Sequence, residues 1–457
     1  MRYAFILGRV YTLSIAELLA ILEQKELSVG LTGAPVKIIE ASKEVLIIEC
    51  EQPINAEKLQ KRLGGVVKIA KVVDFVEKRK QDSVNFALKN YFKPSVLKKE
   101  FFKEYKGKKQ FGVSVYVLDD ELLAQTFHKP WERNSAPAEE GGKRKPQTQP
   151  VWGEPKRVGM MIKNTLTEGG LSVRLVLPEF NSLSLASVVV TKNLLLEKGA
   201  EICVVAGKEK VYVGKTLVVQ DFEDYGRRDY QRPVRDEQQG MIPPKVAQIM
   251  LNLAGCKKGD TILDPFCGIG TIIQEGLLLD FRMIGSDINK TAIKGSEQNL
   301  EWFKNRYHIS GGKFGVEVED ARKVSGLIEK SGSKVCAIVT ECTLGPVYSQ
   351  FPKNDDIEKN FVDLQKLYVQ SFTDFAKFLP NKAKIVMCIP AYRKAKDNYT
   401  MFPNLDWAKE IGYNLLELVP VKIAKQMKFL KLTDRGTAIY DRKDQIVARE
   451  IVIFEKN

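Results

Sequence analysis

Thr261-Ile-Leu-Asp-Pro-Phe-Cys-Gly-Ile-Gly-Thr271, running on into Ile-Ile-Gln-Glu275, decides the fold. An apolar strand ends at Asp264, Gly268 and Gly270 supply a tight turn, and a helix starts near Thr271. Glycines at a strand-to-helix turn let a ligand approach the main chain at the switch point of a parallel sheet. The loop is too short for Gly-x-Gly-x-x-Gly and has no phosphate-binding Lys, so a nucleoside cofactor other than NAD or ATP fits better. A second strand, Arg282–Gly285, closes in Ser286-Asp287-Ile288, with Asp287 17 residues past Gly270. An acid at this distance takes both ribose hydroxyls of a nucleoside. A third strand, Gly315–Val318, ends in Glu319-Asp320-Ala321-Arg322 and places Asp320 to accept from an adenine amine. One Gly-x-Gly turn alone reads equally well as a structural βα turn. Three consecutive strand ends carrying acids line one side of one cleft.

Outward from this stretch, strand–helix pairs from about Asp221 to the C-terminus predict a mainly parallel, doubly wound sheet. Lys384–Pro390 reads as a strand followed by a solvated loop with Tyr392, Arg393 and Lys394. Gln426–Leu432, Gly436–Tyr440 and Val447–Phe454 read as strands forming an antiparallel edge, with Lys425, Lys428, Lys431 and Arg435 on its rim. Upstream, residues 1–80 alternate strand Arg2–Leu7, helix Ser14–Leu22, strands Val36–Glu40 and Val45–Cys50, helix Ala56–Leu63 and strand Val66–Val76. That alternation suggests a ferredoxin-like module. Residues 81–219 form a second small α/β layer: helix Val84–Tyr91, strand Phe111–Val117, helix Val158–Glu168, then strands Ser172–Leu177, Leu185–Thr191 and Glu201–Ala206. Between them, 128–157 holds five prolines and the run GGKRK with almost no aliphatic residues, the composition of a flexible insertion. Residues 220–240 read as a linker to a final domain at 241–457.

The 457-residue chain has 71 Lys+Arg against 57 Asp+Glu, a net charge of +14. Half of the excess, +7, falls between Glu77 and Lys109. Clustered cations attract phosphate backbones, which makes Lys78, Arg79, Lys80, Lys98, Lys99, Lys108 and Lys109 candidates for RNA contact. The interleaved Phe86, Tyr91, Phe92, Phe101, Phe102 and Tyr105 read chiefly as core. Seven Cys occur with no Cys-x-x-Cys pair, and the only His are His128 and His308. No metal site is expected, and reduced thiols in a cytoplasmic protein are. No run reaches the ~18 apolar residues of a membrane span. Arg9 and Glu17 interrupt the apolar N-terminus, so it does not read as a signal peptide.

Asp264-Pro-Phe-Cys-Gly-x-Gly-Thr271 with its following acid resembles the first motif of S-adenosylmethionine-dependent methyltransferases acting on exocyclic amines. Asp224-Tyr-Gly-Arg-Arg-Asp-Tyr-Gln-Arg-Pro233 and Arg235-Asp-Glu-Gln-Gln-Gly-Met-Ile-Pro-Pro-Lys-Val-Ala-Gln248 are similar to the linker and first helix of archaeal and eukaryotic tRNA guanine-N2-methyltransferases, whose usual target is the guanine at tRNA position ten. Val158–Val205, with SVRLV and ASVVVTKNLLLEKGAEICVV, resembles the THUMP RNA-binding domain of that family. The resemblance implies an α/β protein with a C-terminal Rossmann-like methyltransferase domain preceded by ferredoxin-like and THUMP domains. It implies S-adenosylmethionine as cofactor and tRNA as partner, with a small activator protein left open and a monomer expected. Asp264, Phe266, Cys267, Gly268, Gly270 and Thr271 would form the methionine-side loop. Asp287 with Ile288 would hold the ribose, and Asp320 with Ala321 would flank the adenine. Met241 to Pro244, Pro243 included, would wall the cleft.

The catalytic motif departs from the family. Where the family ends its fourth strand in Asp or Asn followed by Pro-Pro-Tyr or Pro-Pro-Phe, this chain has Thr340-Glu-Cys-Thr-Leu-Gly-Pro346. Both prolines and the aromatic are missing. The lone pair of guanine N2 is delocalised into the ring, so an acceptor carboxylate and a carbonyl must draw on its N–H bonds. Glu341 supplies the carboxylate, one methylene further out, and Leu344 an apolar platform. Three readings follow: a tRNA guanine-N2-methyltransferase with a variant motif, a member that binds RNA but transfers weakly or not at all, and an amino-methyltransferase of adenine N6 or cytosine N4.

Overall fold

The computed structural model describes residues 1–23, 36–79, 82–102, 109–118, 155–180, 182–235, 241–310, 312–442 and 445–457. They fall into two units. The first takes the described residues of Met1–Gly8, Ala34–Gln60 and Val66–Phe222, and the second those of Arg9–Gly33, Lys61–Gly65 and Glu223–Asn457.

The first unit is built on one eight-stranded sheet. Its strands are β1 (Arg2–Leu7), β2 (Lys37–Ala41), β3 (Val45–Glu49), β4 (Val66–Glu77), β5 (Lys109–Val117), β6 (Val173–Val176), β7 (Gly199–Ala206) and β8 (Lys210–Val219). The order is β2-β3-β1-β4-β8-β7-β5-β6. Its first four strands pair antiparallel, in the arrangement that the βαββαβ alternation leads to. Residue 80 is not a boundary, because β4 pairs with β1 on one side and β8 on the other, joining both expected modules into one sheet. The 12 residues of β4 are rich in Val and Ile, which suit a strand covered on both edges. Lys68 of β4 forms a buried ion pair with Glu201 of β7, and its Nζ also donates to the Leu185 carbonyl at 2.7 Å. Leu185–Thr191 is not a strand. Ser187–Lys192 is a helix that buries Val190, so β-branched content misled the expectation there. Of the expected insertion, residues 155–157 open the helix Pro155–Glu168, and 128–154 lie outside the described residues.

The second unit holds β9 (Thr261–Asp264), β10 (Arg282–Asp287), β11 (Phe314–Val318), β12 (Val335–Glu341), β13 (Lys384–Ala395), β14 (Asn398–Met401), β15 (Tyr413–Leu416), β16 (Ala438–Tyr440) and β17 (Val447–Lys456). The path is β11-β10-β9-β12-β13-β17-β15, with β14 on β13 and β16 on β17. From β11 to β13 the pairing is parallel, and chain order reverses between β9 and β12, which creates a switch-point crevice at their C-terminal ends. The helix Asn354–Phe375 turns Ile357, Phe361, Leu364, Tyr368, Phe372 and Phe375 inward at spacings of three and four, packing them into the core cluster that includes Ile338, Ile385 and Phe454.

Three expectations change here. Tyr392, Arg393 and Lys394 belong to β13, and Tyr392 is fully buried. Gln426–Leu432 is no strand, since the helix Val421–Gln426 ends there. The antiparallel β17 lies between β13 and β15 rather than at an edge. The linker region also contains the helix Phe222–Tyr230, whose buried Arg228 pairs with Glu275 at 2.7 Å.

The N-terminal helix Tyr11–Glu23 packs with this second unit. Glu17, which breaks the apolar run in the sequence, is wholly buried. It accepts hydrogen bonds from the Gly64 and Gly65 amides at 2.9 and 2.8 Å and from Asn252 Nδ2 at 2.6 Å. Burial pushes its carboxyl up to about 7, while these donors favour the charged form.

Cys256 and Cys336 are joined by a disulfide, which corrects the expectation of thiols only. Cys336 is the extra residue of a bulge in β12, between Val335 opposite Thr261 and Ala337 opposite Ile262. Asp260 lies within 4.8 Å of both sulfurs, but bonded sulfurs are not thiolate ligands. Closing an 80-residue separation should stabilise the fold by about 2–4 kcal/mol. Thermal melts with and without reductant should therefore differ by several degrees, and the difference should vanish in a C256A/C336A variant.

Candidate active site

The glycine loop follows β9. Gly268 and Gly270 both have positive φ, +50° and +87°, which an L side chain rarely adopts. A Cβ at Gly268 would meet nothing within 4 Å, so the space before the loop is open. At Gly270 it would press on Ser296 Oγ at 2.6 Å, so that glycine is needed for packing as well. Gly270 caps the helix Thr271–Leu278 without a side-chain hydrogen bond. Asp264 is buried and accepts from Thr340 Oγ1 at 2.7 Å and from the Phe266 amide at 3.3 Å; burial pushes its carboxyl up to about 7. Cys267 is buried and burial raises its thiol, as suits a small filler rather than a reactive group.

Asp287, ending β10, reaches back to this loop. Its Oδ2 accepts from the Gly268 amide at 3.0 Å and its Oδ1 from the Asn289 amide at 2.9 Å. Each oxygen retains a lone pair for a further donor. Ile288 beside it is 67% exposed, an apolar surface at the cleft. Asp320 behaves differently from the expectation of a free acceptor. Arg322 Nε lies 2.9 and 3.0 Å from its two oxygens, and the guanidinium holds the carboxyl below its usual range. Ala321 is buried.

Glu341 ends β12 at the same end of the sheet. Its Oε2 accepts from the Ile242 amide at 3.1 Å, and its Oε1 is paired with the buried guanidinium of Arg449 on β17. Arg449 is steadied by Gln445 Oε1 at 2.8 Å. Met241 and Pro243 flank Ile242, so the expected wall segment is tied directly to the acceptor carboxylate. The next turn of chain is fixed from behind. Tyr368 donates to the Thr343 carbonyl at 3.0 Å, and Asn360 Nδ2 donates to the Leu344 carbonyl at 3.2 Å and to Tyr392 Oη at 2.6 Å. Leu344 itself is half-buried. Gly345 has φ +99°, and a Cβ there would lie 2.2 Å from Asn360 Nδ2. Gly345→Ala should therefore dislodge Asn360 and the loop. The melting temperature should fall by several degrees, measured by thermal melts of the variant and the wild type.

Of the predicted residues, the structure gathers Asp264, Phe266, Cys267, Gly268, Gly270, Thr271, Asp287, Glu341 and Met241–Pro243 at one end of one sheet. The partners Arg449, Asn360 and Tyr368 escaped the sequence reading, since each sits far along the chain with no local motif. Two adjacent charges inside the apolar run Val447–Phe454, Arg449 and Glu450, were the available signal. In the first unit, Lys78 and Lys109 are 7% exposed, and Lys109 Nζ donates to the Phe102 carbonyl at 2.8 Å. Their expected phosphate contact is thereby withdrawn: the long side chains run along apolar surface and end on main-chain oxygens. Arg79, Lys98 and Lys99 are exposed, while Lys80 and Lys108 lie outside the described residues. Phe92, Phe101 and Phe102 are core, but Phe86 is 66% exposed.

A family model described as DNA methylase matches residues 53–298, and one described as RMKL-like, methyltransferase domain, matches residues 232–410. Over 123 residues the chain is 32% identical to a probable tRNA (guanine(10)-N2)-dimethyltransferase of Methanothermococcus thermolithotrophicus, covering 27% of this chain and 74% of that relative. The chain belongs to the S-adenosylmethionine-dependent methyltransferases. A further member, the tRNA (guanine(10)-N2)-dimethyltransferase of Methanothermobacter thermautotrophicus, is 37% identical over 125 residues; the match covers 27% of this chain and 34% of the relative, only about a third of its length. The crystal structure of TrmN from Thermus thermophilus, at 15% identity, matches with a TM-score of 0.50 over 100% of both chains, a likeness of fold. As in any such methyltransferase, the cofactor supplies an electrophilic methyl group. The residues fit it: the open face before Gly268, the Asp287 carboxylate with lone pairs to spare and the exposed Ile288 suit a ribose and an adenine edge.

Proposed function

We propose that this methyltransferase transfers methyl groups to the exocyclic N2 of guanine in tRNA. The observation that carries the reading is Glu341, a carboxylate at the end of β12, oriented by Ile242 and Arg449 at the same end of the sheet as the glycine loop. Each of its oxygens has one protein donor and a lone pair left for an amine N–H. Drawing on that N–H localises the nitrogen lone pair towards the methyl group, and holding nitrogen, carbon and sulfur in line supplies the rest of the acceleration. Leu344 offers the base an apolar face. Asp264, Phe266, Cys267, Gly268, Gly270 and Thr271 line the methionine side, Asp287 and Ile288 hold the ribose, Ala321 and Asp320 border the adenine, and Met241 and Pro243 wall the cleft. The relatives named as tRNA (guanine(10)-N2)-dimethyltransferases favour tRNA and the guanine N2 atom. The resemblance of Val158–Val205 to a THUMP domain and the exposed Arg79, Lys98 and Lys99 support an RNA-binding role for the first unit.

The test is nucleoside mass spectrometry of bulk tRNA incubated with the protein and S-adenosylmethionine. N2-methylguanosine or N2,N2-dimethylguanosine should appear in a protein-dependent manner. The DNA methylase match favours one competing reading, amino-methylation of DNA. Label entering DNA as N6-methyladenine or N4-methylcytosine in preference to tRNA would establish that reading. Tight tRNA binding with no transfer would leave the chain an RNA-binding member of the family.

A further inference from the structure

The helix Lys290–Tyr307 of the second unit runs away from the cofactor cleft. Its N-cap, Asn289, stands two residues past Asp287. Its 18 residues carry Tyr307 about 27 Å from that end, at 1.5 Å per residue. There the helix meets the first turn of the helix Phe222–Tyr230, and Asp224, Arg227, Trp302, Asn305, Arg306 and Tyr307 line an open cleft of about 560 Å³.

The acid in this cleft is already engaged. Asp224 Oδ1 accepts from Tyr307 Oη at 2.8 Å, and its Oδ2 is paired with the buried guanidinium of Arg228. The cations are held far more loosely. Arg306, exposed in the last turn of its helix, has no ion-pair partner among the described residues. Arg227 meets Glu223 Oε2 at 3.3 Å and Asp224 Oδ1 at 3.6 Å. Water-exposed pairs of this kind contribute little and yield to a phosphate, which a guanidinium holds with two N–H bonds. Trp302 presents a half-exposed indole to the same cleft. Behind it lies the buried ring of Phe303, 6.4 Å from the Trp302 ring and 4.4 Å from that of Tyr307, so the aromatic wall is firmly backed. The lining is cationic and aromatic, with no aliphatic side chain, which favours a nucleotide chain over a protein partner.

We propose that this cleft is a distal RNA contact of the methyltransferase unit, in which Trp302 stacks on one base of the tRNA substrate and Arg227 and Arg306 hold the neighbouring phosphates. Indole faces accept any base, and paired guanidinium groups hold the backbone on either side of it. The inference rests on tRNA as the substrate and adds a grip on it remote from the reacting nitrogen. A contact so placed acts equally on the ground state and the transition state, so it enters KM for tRNA and not kcat. It also separates two adjacent arginines. Arg228 turns inward onto Glu275, and Arg227 turns outward into the cleft.

The test is tRNA binding by the full-length protein over a series of salt concentrations, with turnover and S-adenosylhomocysteine calorimetry alongside. Trp302→Leu should weaken tRNA binding by about ten-fold, and Trp302→Phe, which keeps a ring, by clearly less. Arg227→Gln combined with Arg306→Gln should weaken it by about ten-fold or more near physiological salt and flatten the slope of log Kd against log salt by about 1.5, for two phosphate contacts. In each variant KM for tRNA should rise, with kcat and the S-adenosylhomocysteine dissociation constant within about two-fold of the wild type. Wild-type tRNA affinity and salt slope in both the Trp302→Leu and the double arginine variants would overturn the proposal and leave tRNA as the substrate. Adenosine monophosphate distinguishes a free nucleotide from one within RNA. Tight binding of it, lost in Trp302→Leu while tRNA affinity stays the same, would make the cleft a small-ligand site and also overturn the proposal. If the wild-type protein bound no tRNA, the substrate assignment itself would fail, and the proposal with it.

Discussion

Asp287→Ala is expected to weaken S-adenosylhomocysteine binding by about a hundred-fold or more, the sum of two charge-assisted hydrogen bonds to the ribose at about 1.5–3 kcal/mol each. The loss should exceed that of most single contacts because the carboxylate serves two ends at once. Towards the cofactor it offers free lone pairs, and towards the protein it ties the Gly268 amide at 3.0 Å and the Asn289 amide at 2.9 Å. Removing it leaves the glycine loop without its brace, so methylthioadenosine, which keeps the ribose, should suffer as much as S-adenosylhomocysteine. Asp287→Asn should fall between, because one oxygen remains and the amide nitrogen faces a main-chain donor. A dissociation constant in the alanine variant equal to that of the wild type would take Asp287 out of the ribose site.

What was legible in the sequence follows from how local each cause is. The strand–Gly-x-Gly–helix turn and the acid closing β10 are decided by neighbours within a few residues, so Gly268, Gly270 and Asp287 lie where the pattern puts them. The ferredoxin-like order of β1 to β4 was legible for the same reason. Its fusion with β8 was not, because β4 pairs with residues more than a hundred positions away and nothing in Val66–Glu77 says which strand covers its second edge. Burial of charge was read worst. Lys78 and Lys109 look like the surface cations around them, yet they point inward. Glu17 looked only like a break in an apolar run, yet it is the acceptor that joins Gly64, Gly65 and Asn252. Asp320 stands at the expected strand end, but its neighbour Arg322 occupies the lone pairs meant for the adenine. For Glu17 the deciding partners come from distant parts of the chain, whereas Asp320 is claimed by a residue only two positions on, so even a local partner escapes a reading that follows the strand end alone.

Glu341→Ala is expected to reduce methyl transfer by about a hundred- to ten-thousand-fold while S-adenosylhomocysteine binds as before. The same substitution takes away the carboxylate paired with Arg449, whose side chain is 2% exposed, and breaking a buried ion pair from one side costs about 3–5 kcal/mol of stability. Activity and folding would then fall together, and the single variant could not separate them. Adding Arg449→Met removes the buried charge itself and should return most of the stability with no return of transfer. Recovery of transfer in the double variant would show that Glu341 matters only as a counterion. Glu341→Asp, which restores the shorter acid usual in the family, is informative in the opposite direction. The carboxylate would retract by about one carbon–carbon bond, roughly 1.5 Å, away from both Arg449 and the Ile242 amide. If the longer side chain was selected together with Arg449, the aspartate variant should transfer more slowly than the wild type and melt lower. A faster aspartate variant would mean that Glu341 is held back by its ion pair, and that the altered motif has moved this chain away from methyl transfer.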